Sequence, residues 1–296
     1  MNIHESAALR RRLRVELRRA RLAAGLTQRD IAERLDWSPS KIIRIESGSV
    51  SITVTDLRAL LAEYGIGDAK VVEDLVAMAR ASKKQPWSQY KDVLTPATIQ
   101  FFGYESTASR IRNFQLIVIP GLLQTEEYAR AILEGYRLPE DRVERIIESR
   151  LEHQELLEQA KPPQMHFIID EAAIRRVVGG PKVMEAQLRR VSELALHQAV
   201  TVQVVPFPVG AHPGMEGPFV HLEFPDPDDD DVLYIEGRHP ADSVFRDDSE
   251  VTAHYLNMFF ELEKTACLPD EVDAYLGRAV ERLLCVEPHL HPAPER

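Results

Sequence analysis

Residues 25 to 48, GLTQRDIAERLDWSPSKIIRIESG, constrain this chain more than any other stretch, because they leave room for two short helices and a tight turn and for little else. Thr27 is a natural N-cap. Behind it Ile31, Ala32 and Leu35 fall on one face of a helix expected over 28–35. Asp36 and Trp37 make the turn. Ser38 caps again, and Pro39 takes the first helical position, where a missing amide hydrogen costs least. The next helix runs to about Ser47 and stops at Gly48. It turns Ile42 and Ile45 inward and leaves Ser40, Lys41 and Arg44 outside. Two short helices on a three-residue turn form the unit that lays its second helix in a DNA major groove.

The flanking text completes a small domain. Residues 9–24 lack Gly and Pro and repeat Leu13, Leu17 and Ala20 at helical spacing. Helices around 56–64 and 69–81 bring Leu57, Leu60, Leu61, Val72, Leu75 and Val76 to the same core, giving an all-α, five-helix domain over residues 1–82. Charge is divided along the chain: residues 1–84 carry 16 Lys and Arg against 11 Asp and Glu, whereas the rest carries 20 against 36. A basic head on an acidic body places any polyanion at the head. Arg10, Arg11, Arg12, Arg18 and Arg19 read equally as a phosphate-contacting patch or as a solvated helix face.

Helical periodicity lapses at 83–86, around Pro86, and marks a linker; Trp87 and Tyr90 beyond it are expected to pack. The body, 83–265, alternates strand-like and helix-like text and reads as mixed α/β or α+β. Strands are expected at 115–119, 165–169 and 200–205, the last two parallel across helix 181–197, and a hairpin at 219–224 and 232–235. Helices are expected at 125–135, 140–160 (with Val143, Ile146, Ile147, Leu151 and Leu157 buried) and 245–264. The remainder, 266–296, holds an amphipathic helix whose stripe of Val272, Tyr275, Leu276, Ala279, Val280, Leu283 and Leu284 must be covered. Its own subunit is the default cover and a dimer partner the alternative.

Ten histidines and 47 acids make chance clusters inevitable, so only spacing that chemistry demands counts. His221 and Glu223 alternate on one strand face beside GAHPGMEG, which holds His212 and Glu216, and the four are a candidate ligand pocket. No nucleophile elbow, HExxH, phosphate loop or GxGxxG accompanies them, so catalysis, a cofactor and a metal are not expected. The acidic run 226–231 lacks the order of a calcium loop and reads as a solvated hairpin turn. Cys267 and Cys285 have no zinc spacing and suit a reducing cytoplasm. The first twenty residues lack a signal-peptide apolar run, and no apolar stretch approaches the roughly 20 residues of a membrane span.

Residues 25–48 strongly resemble the Cro and lambda-repressor (XRE-type) family of helix-turn-helix domains. The resemblance implies that Ala32 lets the second short helix approach closely. It assigns Gln28 to phosphate contact, Pro39, Ser40 and Arg44 to the groove, and Arg21 with Glu46 to an internal ion pair; Lys41, outside the same stripe, is a further DNA-binding candidate. The turn departs from the family, with Asp36 where Gly is common; Asp tolerates a left-handed backbone better than most residues. The strings IVIPGLLQTEEYARAIL, FIIDEAAIRRVVGG and VTVQVVPFPVGAHPGMEGPFVHLEFPDPDDDDVLYIEG resemble the C-terminal domain of unknown function in actinobacterial WhiJ-like and antitoxin-like regulators. Together these readings point to a cytoplasmic transcriptional regulator whose body senses a small protein encoded nearby or a ligand; one head offers little interface for strong specificity, which points to a homodimer on a palindromic double-stranded operator. An antitoxin that sequesters its partner, and an enzyme of unknown chemistry, are the alternatives.

Overall fold

The computed structural model describes residues 3–46, 50–82, 87–226, 229–237, 243–246 and 248–285. They divide into two compact units: one runs to Ala108 and takes in the described residues between Phe224 and Asp230, and the other holds Ser109–Glu223 and the described residues from Asp231 onward.

The first unit contains α1 (Ile3–Ala23), α2 (Gln28–Arg34), α3 (Pro39–Glu46), α4 (Val54–Glu63), α5 (Ala69–Ala81) and α6 (Pro96–Glu105). Thr27, Thr53, Asp68 and Thr95 cap α2, α4, α5 and α6 by accepting from first-turn amides, which satisfies donors that a helix start leaves orphaned. Leu13, Leu17, Ile31, Ala32, Ile42, Ile45, Leu57, Leu60, Leu61, Leu75 and Val76 form the core, with Val72 only partly buried against it. The first helix starts at Ile3, ahead of the expected residue 9, since nothing before Leu9 breaks a helix. The unit also extends past the expected 82/83 boundary. Thr95 and Pro96 start α6, which packs on α1, and Arg14 of α1 donates to the Tyr104 hydroxyl. The expected linker at 83–86 lies outside the described residues. Trp87 is buried edge-on to Phe102, with ring centroids 5.6 Å apart, and Tyr90 is buried too.

The second unit is built on β1 (Arg110–Gln115), α7 (Glu126–Gly135), α8 (Glu140–Gln154), β2 (Gln164–Asp170), α9 (Glu171–Arg175), α10 (Pro181–Ala195), β3 (Val200–Val205), β4 (Phe219–Glu223), β5 (Val232–Ile235), β6 (Val244–Arg246), α11 (Ser249–Thr265) and α12 (Val272–Cys285). The six strands form one sheet in the order β3-β2-β1-β4-β5-β6. β1, β2 and β3 run parallel, and β4, β5 and β6 continue antiparallel. Phe114, Ile168, Phe219 and Leu233 on one face meet Met258, Phe259 and Leu262 of α11. The alternate residues, among them Phe167, Val202, Val204 and Leu222, are buried on the opposite face. α7 and α8 connect β1 to β2, and α10 lies between β2 and β3 in the chain and packs on β3.

Three expectations needed correction. The first strand is 110–115 rather than 115–119: RIRNFQ is too polar to read as a core strand, and the apolar text after it forms bends before Pro120. Phe245 belongs to β6, and α11 begins only at Ser249 behind the Asp248 cap. Leu151 is exposed, on the outer side of α8. The α12 stripe is covered within the unit, Val272, Leu276, Ala279 and Val280 being buried and α12 packing on α10, while Leu284 stays exposed. Among the described residues no helix is long and apolar enough to cross a membrane.

Candidate nucleic-acid interface

The turn between α2 and α3 is fixed locally. Thr27 and Asp30 make a reciprocal capping box: the Asp30 amide donates to Thr27 Oγ1 over 3.1 Å, and the Thr27 amide donates to Asp30 Oδ2 over 2.8 Å. Asp36 takes a left-handed conformation at φ 52°, and the Trp37 amide returns to the Ala32 carbonyl at 2.8 Å. Ile31, Ala32, Ile42 and Ile45 are buried between the helices, which sets the opposite side of α3 outward.

Glu46 is the buried charge of the motif, and it is met on several sides. Arg21 forks onto it, Nε donating to Oε1 at 2.7 Å and Nη2 to Oε2 at 2.9 Å, while Gln28 Nε2 donates to Oε2 at 2.8 Å. The third arm of Arg21 reaches the Leu26 carbonyl at 2.7 Å. Hydrogen bonding to Glu46 holds the Arg21 guanidinium above its ordinary pKa. Burial first, and Glu46 second, push the Tyr64 phenol upward. Charge-assisted bidentate pairs are geometrically specific, so this pair fixes where α3 sits against α1.

The candidate contact residues then separate. Pro39, Ser40 and Arg44 are exposed on α3, and Arg44 Nε donates to the Ser40 carbonyl at 3.2 Å. Lys41 instead turns to α4, donating to Asp56 at 2.8 Å with its ammonium 3.5 Å from the centroid of the Trp37 ring. Gln28 is engaged by Glu46. One residue went unmarked in the sequence: Ile43, 49% exposed beside Arg44. Its signal was there, since of Ile42, Ile43 and Ile45 only the first and third can share an inward face at 100° per residue. An exposed apolar side chain at that place suits a thymine methyl.

The α1 arginines are partly committed inside the first unit. Arg10 donates to Ser51 Oγ at 2.7 Å and to the Ser82 carbonyl at 2.9 Å. Arg11 pairs with Asp229 and lies 3.2 Å over the Phe224 ring. Burial lowers the pKa of both guanidinium groups, and for Arg11 the neighbouring aspartates work against that lowering. Arg12 and Arg19 are exposed.

Of the four candidate pocket residues, His221 and Glu223 come together beside Asp231, while His212 pairs with Asp170. His212 Nε2 lies 3.0 Å from Asp170 Oδ2 at the end of β2, edge-on to Phe114. His221, two residues along β4 from Phe219, is fully buried beside Asp231, and Glu223 takes an ion pair from Arg112. Glu216 is exposed. The cleft that the second unit does contain was not foreseen. It encloses about 410 Å³ outside the carboxyl ends of β2 and β3, lined by Glu171, Arg175, Phe207, Tyr275, Arg278 and Arg282 among others. Burial opposes the charge of Glu171, but hydrogen bonds from Tyr275, the Phe207 amide and Arg175 hold its pKa below the ordinary value. The same burial, reinforced by Glu171, pushes the Tyr275 phenol up.

A helix-turn-helix whose inner face is packed and whose outer face carries Ser40, Ile43 and Arg44 belongs to a DNA-binding regulator, and residues 12–75 match a helix-turn-helix domain. Residues 99–277, more than half of the chain, match a domain of unknown function, DUF5753, and the chain belongs to that family. No curated protein and no solved structure matches it.

Proposed function

We propose that this protein is a sequence-specific transcriptional regulator of the XRE type that binds a palindromic operator as a homodimer and adjusts its hold on DNA when the second unit engages a small partner protein or a ligand. The observation that carries the reading is the polarity of α3: Ile42, Ile45 and Glu46 are buried while Pro39, Ser40, Ile43 and Arg44 face out. In this reading Ser40, Ile43 and Arg44 touch base edges, and Gln28 and Lys41 stay close enough to phosphates to exchange an internal partner for one. A single such head offers little specific interface, which favours two-fold pairing on a two-fold site.

The sensing half rests on the cleft by Glu171. Three arginines, Arg175, Arg278 and Arg282, beside the rings of Phe207 and Tyr275 in its lining favour an anionic ligand, or an acidic segment of a small protein, at the strand ends where α/β sheets commonly bind ligands. A partner that favours one state of the protein changes operator affinity by that preference and no more. The experiment is selection of bound duplexes from a random pool by the full-length protein, followed by footprinting with and without material co-purified from the native host. A two-fold symmetric site whose occupancy responds to that material is expected. Enrichment of no sequence at all would overturn the DNA reading, and occupancy indifferent to every co-purified species would overturn the sensing one.

A further inference from the structure

The end of the β4–β5 hairpin gathers a donor set that neither the regulator reading nor the family assigns. His221 and Glu223 lie two residues apart on β4 and therefore share a face. The register sets His221 opposite Leu233 and Leu222 opposite Val232, so Glu223 comes opposite Asp231. One donor atom from each of His221, Glu223 and Asp231 lies within 4.8 Å of the other two.

Two features of this cluster are unexplained by the protein alone. His221 is 0% exposed, yet among the described residues neither of its ring nitrogens has a hydrogen-bond partner. Its Nε2 lies 3.3 Å from Asp231 Oδ2 without hydrogen-bond geometry. A buried polar side chain left in this condition asks for a missing partner. The second feature is a pair of carboxylates facing each other across antiparallel strands, an arrangement that is destabilising unless a cation stands between. Arg112 answers Glu223, and Arg110 stands 3.6 Å from its other oxygen. Among the described residues, the charge partner of Asp231 is the His221 ring.

The geometry points to a site for one divalent first-row transition ion, held by the His221 imidazole and one oxygen each from Glu223 and Asp231. An ion about 2.0–2.2 Å from each donor requires donors roughly 3–4 Å apart, so small side-chain rotations close the set. One imidazole with two carboxylates suits Zn²⁺ or Mn²⁺ better than a soft Cu(I) or a hard Ca²⁺. Two carboxylates balance the ion's charge, and Arg112 becomes the outer partner that orients Glu223. Binding would tie the last residue of β4 to the residue just before β5.

The test is calorimetric titration of full-length protein, stripped with EDTA and dialysed, with ZnCl₂, beside Asp231→Asn. That substitution keeps the shape of a part-exposed side chain, so folding is expected to be retained and is checked by circular dichroism. One equivalent bound with a Kd on the order of micromolar or tighter is expected. Asp231→Asn should weaken that event by at least about tenfold. Loss of the same event in His221→Ala, with a native dichroism spectrum, would add the imidazole directly. Millimolar MgCl₂ should not compete. Failure to bind Zn²⁺ below about 100 µM, or binding that Asp231→Asn leaves unchanged, overturns the site. Equal binding of Mg²⁺ at this place removes the imidazole as a ligand and with it the transition-metal assignment. None of these outcomes depends on DNA binding, so the regulator reading stands or falls separately.

Discussion

The helix-turn-helix of the first unit and the α11-covered face of the sheet in the second both bury charged or polar side chains, but they assemble them differently. Around Glu46, the partners Arg21 and Gln28 come from 25 and 18 residues away, on helices whose caps and turn are set by their own sequence. Beneath α11, Arg112 meets Glu223 across 111 residues, His166 meets Gln203 across 37, and Gln203 donates to the Cys267 carbonyl across 64. The first arrangement is made by local geometry, and the second exists only once strand register is fixed. A motif of the first kind can be carried from protein to protein as a short string. A cluster of the second kind cannot.

The comparison breaks most easily at Glu46. Glu46→Ala leaves Arg21 buried without its partner and should destabilise the first unit by about 3–5 kcal/mol, whereas Arg21→Met with Glu46→Leu should recover most of that loss. Both tryptophans, Trp37 and Trp87, lie in the first unit, so their fluorescence during urea unfolding follows that unit. A loss below about 1 kcal/mol for the single change would mean the pair does not hold α3 in place.

Arg44→Ala tests the outer face of the same helix, with stability expected to be unchanged. The specific operator should lose about 1–3 kcal/mol of binding if Arg44 reads a base. Equal losses on operator and on random DNA would assign Arg44 to the phosphate backbone instead.

In the sheet, His166 provides the corresponding lever. Burial pushes its pKa below the ordinary 6.5; Gln203 and Glu263 oppose that lowering, while Arg112 and Arg110 add to it. The ring of Phe259 stands edge-on at 5.0 Å. A depressed histidine pKa means the unfolded chain binds a proton that the folded one refuses. Stability is therefore fully present above about pH 6.5 and lost progressively as pH falls below it. Calorimetric unfolding at pH 7.5 and 5.5 should show this slope, and His166→Asn should flatten it. An unchanged slope would place the acid sensitivity at another histidine.

How much was legible follows the same division. α5 is legible at 69–81, where it lies, and α2 and α3 within a residue at each end, because Thr27, Asp36, Pro39 and Asp68 act over a few residues. The parallel pair β2–β3 is legible from apolar runs on either side of a helical stretch, and the hairpin β4–β5 from apolar runs with turn residues between them. β1 was not, since Arg110, Arg112, Asn113 and Gln115 make it a polar string whose strand character comes from lying between β2 and β4. His221 and Glu223 could be paired by period two, but Asp231 joins them only through the register of β5, and the cleft by Glu171 draws on α9, α12 and the chain after β3. No spacing along the sequence encodes either meeting.

The smallest effect is expected at Asp36, where this chain departs from the glycine common in related turns. A left-handed backbone costs an ordinary L-residue about 1–2 kcal/mol, and Asp less than most. Glycine would remove that strain, but it would also free the unfolded chain by about 0.5–1 kcal/mol. The two nearly cancel, so Asp36→Gly should leave the urea midpoint of the first unit almost unchanged. Asp36→Val should lower it clearly, since a β-branched residue tolerates φ 52° poorly. A strongly stabilising Asp36→Gly would reveal strain held at the turn, and the local rules that made this half of the molecule readable would then be incomplete at the residue that turns the chain from α2 toward α3.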